Sequence, residues 1–364
     1  MTANALLLDR AVDHAIDELR FERGVVYRMI AVLNRADARL SAQLAEALLQ
    51  LDAESFTVQR LEALLVSVRE TNAAAYAAVF DALEPALRDL AEAEAQAQAA
   101  QLRAAVPPAV QLRFPIAGVS VEQVYAAALS RPFQGRLLRE WAADLAESRL
   151  RQVREAVRAG YVAGETTADI IRKVRGTKAL RYEDGILARP RRELATIVQT
   201  ALSHTAQTAR SVSYAANADL IKALRWVSTL DSRTSPMCRV RDGLQYTATA
   251  PHKPVGHKVP YGAGPGRLHF NCRSVSVPVL KSWKELGIDA EELPASTRAS
   301  MDGTVPADLT YGQWLARQSA ERQDEILGPV RGKLLRAGRV KVEQFTDDKG
   351  NWLTLDQLRA KIGT

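Results

Sequence analysis

Apolar residues recur at helical spacing through the first hundred positions. Leu44, Leu48 and Leu51 share one face, as do Leu61, Leu65 and Val68, and then Tyr76, Phe80, Leu83 and Leu87. The intervening residues are mostly Ala, Glu, Gln, Leu and Arg, which favour helix. The stretch "AEAEAQAQAAQLRAA" keeps that propensity but holds almost no large apolar side chain. It predicts either a solvated helix or one that packs on another chain. No heptad runs cleanly over four repeats, so a helical hairpin or bundle is expected rather than a coiled coil. Pro107 and Pro108 interrupt the pattern and mark a boundary.

Helical periodicity returns after residue 120. "GETTADIIRKVRG" predicts a short helix with Thr167 as N-cap. "RRELATIVQTALSHTAQTARSVSYAANADL" predicts a long amphipathic one, with Leu194, Ile197, Ala201 and Leu202 on its apolar side and His204 on a helix face. The period then changes. Leu224, Trp226, Val227 and Leu230 read as a buried strand, and Val275, Val277 and Val279 alternate as a second. Trp226 and the Val275–Val279 segment are expected in one small sheet. Between them, residues 231–271 form a long loop dense in Gly, Pro and His, of the kind that serves a function or is held by something. In the tail, Thr310 with Gln313 and Thr354 with Gln357 form capping boxes, flanked by the staple pairs Leu309/Trp314 and Leu353/Leu358. "RVKVEQFTDDKGNWLTL" predicts a β-hairpin turned at Asp348–Gly350.

The fold class is therefore α+β and predominantly α-helical. A long helical N-terminal region precedes a mixed domain with a small β-sheet and a long Gly/Pro loop. Three segments are expected: residues 1–110 as a helical hairpin or bundle that binds a partner, 111–220 as a helical region leading into the motif domain, and 221–364 as the motif domain with its C-terminal helices and hairpin; a chain starting near residue 160 is expected to fold without the front helices.

Charge changes this picture along the chain. Residues 1–110 contain 10 Arg, no Lys and 16 Asp plus Glu, leaving 39 basic and 26 acidic residues behind them. An acidic front and a basic rear suggest two surfaces with different partners, the rear suited to DNA. No apolar run approaches the roughly 20 residues that span a bilayer. The absence of a basic, apolar leader predicts a chain kept in a reducing cytoplasm, where two cysteines make no disulfide framework.

Those two cysteines stand in the polar loop. "DSRTSPMCRVRDG" and "PGRLHFNCRS" place Cys238, His269 and Cys272 in a C…H-x-x-C arrangement. Thiolates and imidazole suit zinc, whose fourth ligand could be His257, His252, Asp231 or water. Two other readings stand beside it: buried, inert thiols with a hydrogen-bonded histidine, and a Cys238–Cys272 disulfide. Asp231, Arg233 and Arg273 read as an ion-paired clamp between the loop's ends. His252 and His257 read as solvated loop residues. No nucleophile elbow, P-loop, GxGxxG or HExxH occurs in the chain, so no enzyme class is indicated. An open metal site at Asp231, Cys238, His269 and Cys272 is the remaining catalytic alternative.

The combination "WVSTLDSRTSPMCRVRDG … HFNCRSVSVP" resembles the phage Mu F-like minor head proteins, the phage head morphogenesis family. The positions that carry the resemblance are Trp226, Asp231, Arg233, Thr234, Cys238, Asp242, Gly243, His269, Cys272, Arg273 and Pro278. Many members carry cysteine where this chain has Ser235 and Ser274, so this chain has fewer thiols for a metal. The resemblance extends from about residue 160 to the C-terminus. It implies a structural virion protein, a minor capsid component at or near the portal vertex, assembled in the host cytoplasm. Its partners would be the portal and the capsid or scaffold proteins, with no membrane and no catalytic activity. The alternative is a DNA-contacting protein packaged or ejected with the genome.

Overall fold

The computed structural model describes residues 2–50, 57–288, 297–300, 303–306, 309–347 and 350–362. Leu51, Asp348 and part of the turn expected at 348–350 lie outside these residues. The helices before the sheet are α1 (Ala3–Leu49), α2 (Val58–Leu64), α3 (Val66–Ala105), α4 (Pro108–Arg113), α5 (Val121–Ser130), α6 (Leu138–Val162), α7 (Thr167–Arg175) and α8 (Ala188–Ala216). Then come β1 (Ile221–Val227), α9 (Pro236–Arg239), β2 (Gln245–Thr247), β3 (Pro254–Val255) and β4 (Val275–Leu280). The tail holds β5 (Thr297–Ser300), β6 (Gly303–Pro306), α10 (Tyr311–Ala316), α11 (Ala320–Leu327), α12 (Pro329–Arg336) and α13 (Leu355–Ile362). The α+β, mainly helical class is the observed one.

Two compact units emerge. One comprises residues 1–19, 91–128 and 203–364, the other 20–90 and 129–202. This differs from a division by position along the chain. The reason lies in α1, α3 and α8, which are long enough for each to contribute one end to each unit.

In the first unit the sheet has strand order β3-β2-β1-β4, all neighbours antiparallel. Trp226 pairs with Ser276 and Leu224 with Pro278, so Trp226 and the valine segment do share a sheet. Pro278 cannot donate to a ladder, and it sits on an edge strand, where that is tolerated. Aliphatic residues of β1 and β4 (Ile221, Leu224, Val277 and Leu280) pack with Leu7 and Leu8 of α1 and Leu102 of α3. The start of α1 and the end of α3 are thus part of the sheet's core.

One face of the Ala/Glu/Gln stretch packs inside its own chain, while Glu92, Ala93 and Gln96 on the other face are exposed. Ala91, Ala95, Glu94 and Gln98 are all buried. Small side chains let α3 approach α8, where Ala209 joins the same cluster. The buried polar groups are paired. Arg210 of α8 bonds Glu18 of α1 at 2.5 Å and Glu94 at 2.7 Å, and His14 Nε2 meets Glu94 at 2.5 Å. Gln98 accepts from the Tyr214 hydroxyl at 2.8 Å. The hydrogen bond to Glu94 raises the His14 pKa, against its partial burial.

The second unit packs Leu40, Leu44, Leu48, Leu61, Leu65 and Val68 against Val153, Val157, Ile170 and Val174. Arg149, fully buried, pairs with Asp37 there. The cap of α7 is Thr166, one residue before the expected Thr167; its hydroxyl accepts from Asp169 N.

The tail has its own core of Leu230, Leu309, Tyr311, Trp314, Leu315, Phe345 and Leu358. Both capping boxes form. Thr310 accepts from Gln313 N and Gln313 from Thr310 N, and Thr354 and Gln357 repeat the exchange. Among the described residues the expected hairpin keeps one bridge, Thr346 to Trp352, flanked by backbone bonds from Asp347 N to Asn351 O and from Leu353 N to Phe345 O. Its first arm is instead a 3-10 turn over Val342–Phe345, which turns Val342 and Phe345 together into the tail core. His204 is buried on α8, with Nε2 at 3.1 Å from the Ala128 carbonyl oxygen.

Candidate functional site

The site is built where β1 ends. Trp226 is buried against Cys238, Tyr246, Tyr261 and Cys272, with the Tyr261 ring edge-on at 5.8 Å. Its indole N–H donates to Ser228 Oγ at 3.2 Å, and Ser228 Oγ donates to the Cys238 carbonyl at 3.0 Å. The buried tryptophan thus fixes the chain that leads into the loop.

The loop is largely structured rather than open. Ser235 caps α9, its hydroxyl accepting from Cys238 N at 3.3 Å, and Pro236 takes the first helical position. That single turn points Cys238 inward, where it is buried. On the other side, Asn271 adopts φ +56°, a left-handed conformation that asparagine tolerates. Cys272 N returns to the His269 carbonyl at 3.2 Å, closing a turn that carries both His269 and Cys272.

These turns bring three donors together. The two sulfurs are 3.7 Å apart, and Cys238 Sγ is 3.2 Å from His269 Nε2. Among the described residues this is the one group of three or more His, Cys, Asp or Glu side chains whose ligand atoms all lie within 4.8 Å of one another. Neither Asp231, His252 nor His257 joins it. His252 Nδ1 lies 2.9 Å from the Thr247 carbonyl and its ring lies against Tyr261, while His257 Nε2 lies 2.8 Å from the Gln245 carbonyl and its ring meets Tyr246. Both histidines are half-buried against aromatic rings, not simply solvated. The two thiols remain free and form no disulfide.

The hydrogen bond with Cys272 and burial push the Cys238 thiol up. Despite burial, that bond and His269 pull Cys272 down. Hydrogen bonding with Cys272 raises the His269 pKa, against its partial burial.

Asp231 and Arg273 form the clamp that ties loop start to loop end. Arg273 donates to both oxygens of Asp231, at 2.6 and 2.8 Å. Thr234 Oγ1 and Arg233 N also donate to Asp231 Oδ1, at 3.0 and 3.1 Å. Burial works against the carboxylate, but the Arg273 bonds and charge outweigh it and hold Asp231 below its ordinary pKa. Arg233 stands apart from this clamp. Its side chain is 73% exposed and reaches Asp231 only at 3.8 Å.

Asp242 is a second junction. One oxygen accepts from Ser228 N and the other from Tyr311 N, both at 2.7 Å. It therefore joins the end of β1 to the start of α10 in the tail. Gly243 follows with φ +81°, and its N–H bonds the Trp226 carbonyl at 2.8 Å. A side chain there would be strained in φ and would press on Thr310.

Two functional arginines are not evident from spacing. Arg239 donates to the carbonyls of Thr234, Ser232 and Ile326, and Arg241 to those of Met237 and Pro260. Both are buried, holding carbonyls of the loop and of helices α9 and α11. The signal available was two arginines, two apart, beside an Asp-Gly turn in an otherwise uncharged stretch.

Comparison with known proteins now adds to this geometry. Residues 151–277 match the family model described as Phage Mu protein F like protein. The resemblance carried by the motif is thus shown over that segment, which includes every motif position except Pro278 and excludes the tail. No curated protein and no solved structure matches the chain.

Proposed function

We propose that this chain is a minor structural protein of a tailed-phage head, acting at or near the portal vertex during head assembly and without a catalytic role. The observation that carries the reading is the match of residues 151–277 to the Phage Mu protein F like family, which suggests phage head morphogenesis. The use of the motif's polar groups supports it. A general base or nucleophile must be free to meet a substrate. Here Asp231 is held by Arg273, and both oxygens of Asp242 are taken by backbone N–H groups. The motif closes a loop and docks a tail. Among the described residues no helix is long and apolar enough to cross a membrane. The partners under this reading are the portal and the capsid or scaffold proteins, met in the host cytoplasm and retained in the virion.

The test is quantitative mass spectrometry of purified heads with cross-linking. The expected result is this chain at a few copies per particle, cross-linked to the portal. Its absence from heads, or an abundance matching the major capsid protein, overturns the reading. The net charge of +7 favours a second reading, contact with packaged DNA. That contact would weaken steeply and linearly in log salt on duplex DNA. Binding that is absent at low salt sinks it.

A further inference from the structure

We infer that Cys238, Cys272 and His269 Nε2 form a zinc site whose fourth position is a water held in the adjoining cleft. The inference does not depend on the head-assembly reading. Three separate features of the geometry carry it.

The first is spacing. Two sulfurs on one tetrahedral zinc, each about 2.3 Å from the metal, stand about 3.8 Å apart, and a sulfur and an imidazole nitrogen about 3.5 Å. The observed separations are 3.7 Å between the sulfurs and 3.2 Å between Cys238 Sγ and Nε2. Small shifts would admit the ion. A disulfide would need sulfurs about 2.0 Å apart.

The second is the histidine's orientation. His269 Nδ1 lies 2.8 Å from the Phe270 carbonyl oxygen, which can only accept, so Nδ1 carries the proton. Nε2 is then the lone-pair nitrogen. It faces Cys238 Sγ and accepts from the Ser235 hydroxyl at 2.7 Å. A backbone carbonyl that fixes the tautomer and aims the other nitrogen is the usual support of a metal-bound histidine.

The third is the space beside the group. A cleft of about 20 Å³ adjoins Cys238 and His269, lined also by Ser235, Asn271 and Arg273. That is room for about one water, and it is polar enough to hold one. The three protein ligands and this water complete four-coordination. Asp231 is not needed as a ligand, because Arg273 already holds both its oxygens.

Such an ion would close the loop between Cys238 and Cys272, and its binding free energy would add to folding. The experiment uses the full chain, purified under reducing conditions and reconstituted with Zn²⁺ alone. About one zinc per chain is expected by elemental analysis. Co²⁺ in its place should give a thiolate charge-transfer band and the intense visible bands of a tetrahedral ion. Removing zinc with a strong chelator should lower Tm by roughly 5–10 °C, the span expected when a ligand held at 100 to 1,000 times its Kd is lost. Cys272→Ser should abolish stoichiometric binding and the charge-transfer band. Should that variant misfold, the wild-type chain still decides the matter: zinc should shield both thiols from alkylation and chelation should expose them. Wild-type protein that takes up no zinc, or a Cys238→Ser/Cys272→Ser chain that keeps a full equivalent, overturns the inference. So does a cobalt spectrum without thiolate bands.

Discussion

Replacing Asp242 tests the idea that the Asp-Gly turn is a junction between sheet and tail. The carboxylate is 5% exposed, and each oxygen accepts one backbone N–H at 2.7 Å, from Ser228 and from Tyr311. Tyr311 N belongs to the first turn of α10, where no carbonyl within the helix can serve it. Asp242→Ala therefore strands two buried donors. Each stranded donor costs about 1–3 kcal/mol, so the variant should lose about 2–6 kcal/mol. Asp242→Asn keeps one carbonyl oxygen but turns an NH₂ group toward the second donor. It should lose about half as much, roughly 1–3 kcal/mol. Because the junction lies in one of two compact units, a probe local to it isolates the effect. Hydrogen exchange read by mass spectrometry on peptides spanning β1 and α10 is local. Protection of those peptides should fall by about 5- to 150-fold in the asparagine variant, and further in the alanine variant, at about 1.4 kcal/mol per factor of ten. Peptides from α2 and α6, in the other unit, should not change. Equal effects of Asn and Ala, or protection unchanged in both, would refute the bridging role.

Two further outcomes follow from packing and charge. The His14 pKa is raised above its ordinary 6.5 by Glu94, so the folded chain holds that proton more tightly than the unfolded one. Its contribution to stability is complete below about 6.5 and is lost as pH rises through the folded value. Tm should therefore fall with rising pH more steeply in the native chain than in His14→Gln, and parallel curves would defeat the assignment. A chain beginning near residue 160 lacks Leu7, Leu8, Leu102 and Val106, and so exposes Leu224, Val277 and Leu280. It should aggregate or bind a hydrophobic dye, whereas a soluble, cooperatively melting product would show the α1 and α3 ends to be dispensable.

Much of this architecture was legible in the residues because it rests on local physics. The periodic leucines of the front, the two capping boxes and the valine alternation of β4 each need only neighbours three or four positions away, or two. Departures arise where a distant partner decides. The Ala/Gln/Glu end of α3 reads as solvated because its large partner, Arg210, is more than a hundred residues away. The first arm of the expected hairpin alternates like a strand, but the tail core takes Val342 and Phe345 together, which a 3-10 turn allows and a strand does not. The same distinction explains the division into units. A long helix has one periodicity from end to end, so nothing local marks the point where α1, α3 or α8 passes from one core to the other.

Several of the motif's chemically capable residues are spent on holding the loop. Asp, His, Cys and Arg recur in catalysis because they transfer protons or attack carbonyls, and either task requires an atom left available. Here four of these groups are held by the fold. Asp231 is taken by Arg273, Asp242 by two backbone donors, and Arg239 and Arg241 by carbonyls. The loop they hold has only two- and three-residue strands and one turn of helix to satisfy its backbone. Side chains must supply what regular structure does not. Conversely, Arg233 carries the same chemistry as Arg273 yet lies mostly in solvent beside the clamp. It adds only a long, exposed ion pair to the clamp. The division of labour within one short segment therefore separates the residues that build the surface from the one that faces outward from it.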